Sequence, residues 1–480
     1  MKGRSVILAQ PTGFNWLPGK RDITRAVNIM APAGLIALSA YLEQRGATTR
    51  ILDGYAHPAP LGDWVEIVRR EDPDWLGITA TTASFEEGAR LAAAVKAASP
   101  RVRVALGGVH ASAFRERILE EHPAIDVAVV GEGEEAFEQV VARDGRELDD
   151  VPGVVYRRNG HVTFTGLRSP RLPLDSLPFP AYHKLEGFPQ RYPLPIFSYP
   201  ASPATSVVSS RGCPYACSYC DRSVFRRSFR YNSPRYMVEH LHYLRWRFGI
   251  RHVTFYDDIF TANRRRVMGF CELMADENPG VTFNCAVRSN QVDEELVRRL
   301  AAAGCWQVSF GVESGDARVL ARHRRGTDLT DIHDKTLLLK RHGMRVKGLF
   351  IVGLPGDTEQ SIRRTIDYAC SVPFDEVNVS KFTPFPGAPL YETIDEMGTF
   401  HEDFSRMNLL NFTFIPEGLT ERRLEELYRE FIRRFYQRPR TAWRYAGLML
   451  GNPEHVLTVI RHAGRFLPYL LWVGTGREHA

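Results

Sequence analysis

At 480 residues, 25% of them charged and 44% hydrophobic, the chain has the composition of an ordinary globular protein and is long enough for two or three domains with their own cores. Its net charge of +6 comes from interspersed acidic and basic residues without a basic tail, so nucleic acid is not expected as a partner. Seven cysteines, an odd number with Cys271, Cys285, Cys305 and Cys370 scattered, are no disulfide framework and suit a reduced cytoplasm.

The N-terminus, Met1-Lys2-Gly3-Arg4, leads into a short apolar strand rather than the core of a signal peptide. Apolar runs predict strands over Ser5 to Ala9, Thr48 to Asp53, Trp75 to Thr79, Arg103 to Gly107 and Val127 to Val130. Helical spacing predicts helices over Pro32 to Gly46 and Phe85 to Ser99. This alternation is that of a doubly wound, Rossmann-like α/β domain over residues 1–150. Ligands of such folds sit at the carboxyl ends of the strands, where Gly107-Gly108-Val109-His110 and Gly131-Glu132-Gly133-Glu134 fall.

Residues 151–204 are crowded with proline, and predict a small hairpin over Gly153 to Thr165 followed by an extended linker. From Thr205 a second alternation begins. Strands are predicted over Thr205 to Ser209, His252 to Tyr256, Thr282 to Val287, Gln307 to Gly311, Val346 to Val352 and Glu376 to Phe382. Helices are predicted over Pro234 to Phe248, Arg264 to Glu277, Glu294 to Ala303, Asp331 to His342 and Glu359 to Ser371. Six such units make a partial TIM-like barrel over 205–390, with chemistry expected at the strand ends. Short basic runs, Arg264-Arg265-Arg266 and Arg322-His323-Arg324-Arg325, are either solvated helix ends or receivers of an anionic group. Residues 391–480 are expected to be helical, with Thr420 to Tyr436 amphipathic. The apolar run from Phe466 to Val473 is shorter than the ~20 residues of a membrane span, so a packed helix and no transmembrane segment is expected there.

The most informative feature is Cys213-Pro214-Tyr215-Ala216-Cys217-Ser218-Tyr219-Cys220. Three thiolates at this spacing can cap three corners of a [4Fe-4S] cluster, which normally takes four cysteines, and leave one iron open to a small-molecule chelate. Zinc would want a fourth ligand closing a tetrahedron. None is near: His240 and His242 lie about twenty residues on in a helical stretch, and no second C-x2-C pair exists.

The motif, with Tyr219 before its third cysteine, resembles that of the radical S-adenosylmethionine (SAM) superfamily. The resemblance implies SAM on the open iron and reductive cleavage of its C5'-S bond to a 5'-deoxyadenosyl radical. It also assigns the strand ends. Asp257 or Asp258 would take the SAM ammonium, unless one caps the next helix. Arg288 would take the SAM carboxylate, and Glu313 an ammonium or ribose hydroxyl, unless the two form a buried pair. Ser314, Gly353 and Pro355 would border the adenosyl group.

With that barrel behind it, the N-terminal domain resembles the cobalamin-binding domain of cobalamin-dependent radical SAM enzymes. Gly107, Gly108, Gly131, Glu132 and Gly133 would then approach the corrin. The Asp-x-His-x-x-Gly run that supplies cobalt's lower ligand is missing, since Asp53-Gly54-Tyr55-Ala56-His57 has the wrong spacing. His110 either faces the corrin or is structural. Domain order, the Asp-Asp run and Phe435-Tyr436-Gln437-Arg438-Pro439 look most like the subgroup of the anaerobic magnesium-protoporphyrin monomethyl ester cyclase.

The resemblance implies methylation of an unactivated carbon of a small molecule, or, alternatively, oxidative cyclisation or ring rearrangement without net methyl transfer. An electron donor such as flavodoxin or ferredoxin is implied as well. Methylthiotransferases carry a second three-cysteine cluster, and this chain has no cysteine before Cys213. A non-catalytic corrinoid carrier would leave the three cysteines unexplained.

Overall fold

In the computed structural model, which describes residues 1, 3–13, 28–167, 172–324, 326–451 and 453–461, the first apolar runs pair as a seven-stranded sheet of order β2-β1-β3-β4-β5-β6-β7. Its first five strands, β1 (Ser5–Gln10), β2 (Thr48–Asp53), β3 (Trp75–Thr79), β4 (Arg103–Gly107) and β5 (Val127–Val129), are parallel and match the expected ones to within a residue. Parallel strands must be covered on both faces, and two separate apolar cores flank the sheet.

The hairpin β6 (Val154–Arg158) and β7 (His161–Phe164) forms where expected but belongs to this sheet rather than to the linker, pairing antiparallel to β5. Its alternation explains why: Val154 enters one core and Val155 the other. The helix Leu61–Glu71, absent from the expected elements, buries only Trp64 and Val68.

The second sheet, order β15-β14-β13-β12-β11-β8, is entirely parallel and curls into a half-barrel. It comprises β8 (Ala204–Val207), β11 (His252–Phe255), β12 (Thr282–Val287), β13 (Cys305–Glu313), β14 (Arg345–Val352) and β15 (Glu376–Lys381). A short antiparallel ribbon, β9 (Ser210–Arg211) with β10 (Arg230–Tyr231), follows β8. Helix starts are set by local chemistry. Ser233 caps Pro234–Phe248 by accepting from the Tyr236 amide, and Thr358 and Ser361 form a capping box. Outward residues such as Val253, Phe283, Phe310 and Phe350 pack against the helices. By the two-residue period, Thr254, Asn284, Ser309, Lys347 and Asn378 face the lumen, which is therefore polar. Lys347 Nζ meets Glu376 Oε1 at 2.6 Å, and Gln307 Nε2 donates to Glu376 Oε2 at 3.1 Å.

The C-terminal region is helical from Glu421, with helices Glu421–Tyr436, Pro439–Gly451 and Pro453–Arg461. Before it, a helix was expected, but the chain forms a 3-10 turn and an antiparallel ribbon, β16 (Gly398–Phe400) with β17 (Phe414–Pro416). Phe414 is buried there against Phe382 and Leu354, an extended packing that a helix could not supply. The apolar run from Phe466 to Val473, Lys2 and Arg325 lie outside the described residues.

Three histidines, His110, His240 and His252, are fully buried, each with one ring nitrogen unpartnered, and burial pushes each down to about 3. Unfolded histidine titrates near 6.5, so below that the unfolded chain takes up protons that the folded one refuses. Stability is full above pH 6.5 and falls with acid, by about 2 kcal/mol per histidine at pH 5. Denaturant titrations across pH 5–7 should show this slope. His240→Phe, beside the stacked ring of Phe179, should reduce it by about one proton; an unchanged slope would refute the assignment.

Candidate active site

The thiols sit on the loop that follows β8, at the carboxyl end of the barrel. Gly212 makes the loop possible. It has φ +83°, and a Cβ there would stand 2.2 Å from the Ser228 carbonyl oxygen, so the chain can cross itself only at glycine. Below it, the Asp257 carboxylate accepts from the Ser209 amide at 2.6 Å, the Ser210 amide at 3.1 Å and the Ser209 hydroxyl at 2.6 Å. Arg266, buried 3.5 Å from Asp257, donates to the carbonyls of Ser209 and Asn232.

Asp257 is therefore occupied in pinning the root of the loop, and neither aspartate caps the next helix, whose cap is Asn263. Asp258 opens to a cavity at the barrel mouth and accepts from the Gly212 amide. Enclosure, then the charge of Asp257, raises it above the usual carboxylate range.

Cys213, Cys217, Cys220, Tyr219, Asp258, Arg288 and Glu313 come together at that mouth, close enough that their charges act on one another. A hydrogen bond from Cys220, opposed by burial and helped by Arg324, brings Cys217 down to about 5. Donating that bond raises Cys220, and burial raises Cys213. Among the described residues no three His, Cys, Asp or Glu side chains converge on one ion-sized point. Three thiols spread along one partly buried loop fit three corners of a cubane rather than the apex of a single tetrahedral ion.

Arg288 and Glu313 do not pair with each other. Arg288 stacks over the Tyr215 ring at 3.9 Å, and Glu313, held at φ +68°, pairs with Arg324 at 2.6 Å. Arg324 lies just past the helix Ala317–His323 and also donates to the Gly311 carbonyl. In the sequence it is one member of a basic run and nothing singles it out, because only the fold carries it back to the strand end. Ser314 is turned away from the mouth toward the Thr365 hydroxyl. The amides of Gly353 and Leu354 donate to Asp357, while the Pro355 carbonyl meets His323 Nε2 at 2.7 Å. His323 Nδ1 reaches the Ser218 hydroxyl at 2.9 Å, so the Gly353–Pro355 turn supports the cysteine loop through a histidine relay.

The cavity lies between the barrel mouth and the first sheet and has a volume of about 400 Å³. Its floor is Gly107, Gly108, Gly131 and Gly133, and Val208, Tyr256 and Asp258 face them from the barrel. Gly108, at φ +97°, would place a Cβ 2.6 Å from the Ala80 carbonyl, so that position of the floor admits only glycine. An apolar, side-chain-free shelf of this kind suits a planar macrocycle. His110 does not line it. It stacks on Phe85 at 3.9 Å and touches Phe114 and Phe404, which makes it part of an aromatic seam docking the C-terminal region. Glu132, at the cavity edge, directs its carboxylate to Arg211 and Arg230 of the β9–β10 ribbon.

Comparison with known proteins agrees with this layout. The model of the Radical SAM superfamily matches residues 207–369, and that of the B12 binding domain matches residues 20–141. An uncharacterized methyltransferase of Pyrococcus horikoshii is 29% identical over 448 residues, covering 92% of this chain and 94% of that protein. The anaerobic magnesium-protoporphyrin IX monomethyl ester cyclase of Rubrivivax gelatinosus is 28% identical, covering 84% of this chain and 73% of that one. Among solved structures, the cobalamin-dependent SAM radical enzyme OxsB, with aqua-cobalamin and SAM bound, superposes with a TM-score of 0.72 at 16% identity, covering 98% of this chain and 73% of its own. Among the described residues no helix is long and apolar enough to cross a membrane. The chain thus carries a cobalamin-binding domain ahead of a radical SAM domain, and is an enzyme of the radical SAM type that uses cobalamin, SAM and a [4Fe-4S] cluster.

Proposed function

We propose that the enzyme methylates a carbon of a small molecule held in the barrel lumen. When bound, the cluster and SAM supply a 5'-deoxyadenosyl radical and cobalamin supplies the methyl group. Cys213, Cys217 and Cys220 hold the cluster. Arg288 and Glu313, with Asp258, orient the carboxylate and ammonium ends of SAM by charge-assisted hydrogen bonds. The glycine floor of Gly107, Gly108, Gly131 and Gly133 receives the corrin, and no side chain of that floor offers cobalt a ligand. Asp257, Ser314 and Pro355 support these groups without touching them. The cobalamin-binding unit runs through β7 and the catalytic barrel begins at β8.

The observation that carries this reading is the shared cavity. Tyr256 and Asp258 of the barrel form one of its walls and the glycine shelf another, so a corrin lying there faces the mouth where the thiols sit. A small protein electron carrier, flavodoxin or ferredoxin, reduces the cluster past the exposed Cys220, in a cytoplasm that keeps the thiols reduced.

The test is anaerobic reconstitution with iron, sulfide and hydroxocobalamin, followed by assay of both SAM-derived products. 5'-Deoxyadenosine and S-adenosylhomocysteine accumulating together support methyl transfer. Deoxyadenosine alone favours oxidative cyclisation or rearrangement, the second reading, which the similarity to the Rubrivivax cyclase supports.

A further inference from the structure

Four charged side chains cross the boundary between the first sheet and the barrel. Arg211 stands two residues before Cys213, and Arg230 is its cross-strand partner in the β9–β10 ribbon that closes the thiol loop. Two guanidinium groups directly opposite each other repel, so the ribbon is unfavourable on its own. The missing anions come from the other domain. Glu134 Oε1 accepts from Arg211 Nη2 at 2.5 Å, and the Glu132 carboxylate bridges Arg211 and Arg230. All four side chains are largely buried, 11–22% exposed, in a boundary where a lone charge is strongly disfavoured. Burial and Arg211 act in opposite senses on Glu134, and the pairing prevails, keeping its carboxyl below the ordinary range. Two further contacts lie alongside: the Ser223 hydroxyl donates to the Val109 carbonyl at 3.3 Å, and the Val224 carbonyl lies beside Gly131.

We propose that Glu132, Glu134, Arg211 and Arg230 form an interdomain clamp that fixes the thiol loop in one register against the corrin shelf. They are positioning residues, and their function is to hold the SAM methyl group within reach of cobalt. This rests on the methyl-transfer reading. The clamp joins the glutamate loop directly to the loop that carries the thiols. Glu132, Glu134 and Arg211 also line the cavity, so a shift of that loop changes the distance between the two cofactors.

The test pairs Glu134→Gln with Arg230→Gln, removing one charge on each side, and uses Arg235→Gln as control, since Arg235 pairs with Glu277 on the surface. In cofactor-free protein, hydrogen exchange over residues 208–231 should rise at least about tenfold in the double variant and stay unchanged in the control. In reconstituted protein, 5'-deoxyadenosine formation should stay within about twofold. S-Adenosylhomocysteine formed from SAM with chemically reduced cobalamin, and no other substrate, should fall at least about tenfold. Unchanged exchange, or an equal fall in both products, overturns the clamp. If the wild type itself forms no S-adenosylhomocysteine, the methyl-transfer reading fails and the exchange result alone decides the clamp. Should the double variant not fold, Arg230→Lys, which keeps the charge but loses the fork, is expected to give the same pattern at smaller amplitude, and wild-type values there would also overturn it.

Discussion

Cys217→Ala is expected to lower reductive cleavage of SAM by at least about 10³-fold, because a cluster missing one of its three protein ligands is not retained. Cys217 is the thiol whose anion the site favours most, at about 5, through the hydrogen bond from Cys220 and the nearby Arg324. It does not line the cavity over the glycine shelf, so binding of hydroxocobalamin, followed by its visible spectrum, should be unchanged. The variant thus separates the two cofactor sites. Residual 5'-deoxyadenosine near the wild-type rate would remove Cys217 from the ligand set. Loss of corrinoid binding would show that the two sites are not independent.

Gly212→Ala should have nearly the same effect on activity while leaving every thiol in place. The added methyl would meet the Ser228 carbonyl at 2.2 Å and the Phe225 side chain at 3.2 Å, on a residue already at φ +83°. A backbone oxygen cannot swing aside as a side-chain tip can, so the loop must open, at a cost of about 3 kcal/mol or more. Opening separates Cys213 from Cys217 and Cys220 and pulls on the Asp258 carboxylate that accepts from the Gly212 amide. Iron bound per chain after reconstitution should fall severalfold, and the iron-sulfur absorption with it. Full iron loading in this variant would mean that the loop tolerates a second conformation, against the close packing of Gly212 on Ser228.

The two substitutions also bear on how the site was legible. The thiols could be read because cluster chemistry depends on spacing along the chain, and eight residues carry all of it. The strands were legible for a similar reason: β2, β3, β4 and β12 lie where the apolar runs placed them, since parallel strands buried on both faces need unbroken hydrophobic stretches. The ribbon β16–β17 was not legible. Its apolar residues are few, and it is extended because Phe414 packs against residues from the far end of the barrel.

Adjacent residues of identical type show the limit most clearly. Asp257 and Asp258 are chemically equal in sequence, yet in the loop just past the end of β11 their side chains part. One is buried against Ser209 and Arg266, and the other opens to the cavity. Of the two readings open for His110, the fold takes the structural one, in an aromatic seam, while Glu132 stays at the cavity edge with its carboxylate paired to arginines 79 and 98 residues away.

The sequence by itself determined the cofactor chemistry, the order of the domains and the strands whose ends meet it, because these depend on local spacing and on periodic burial. Tertiary structure alone decided which strand-end groups open to the cavity, brought Arg324 to Glu313, and set the glutamate loop of one domain between two arginines of the other. Those pairings join residues far apart in the chain, and electrostatic attraction across such separations leaves no local pattern to read.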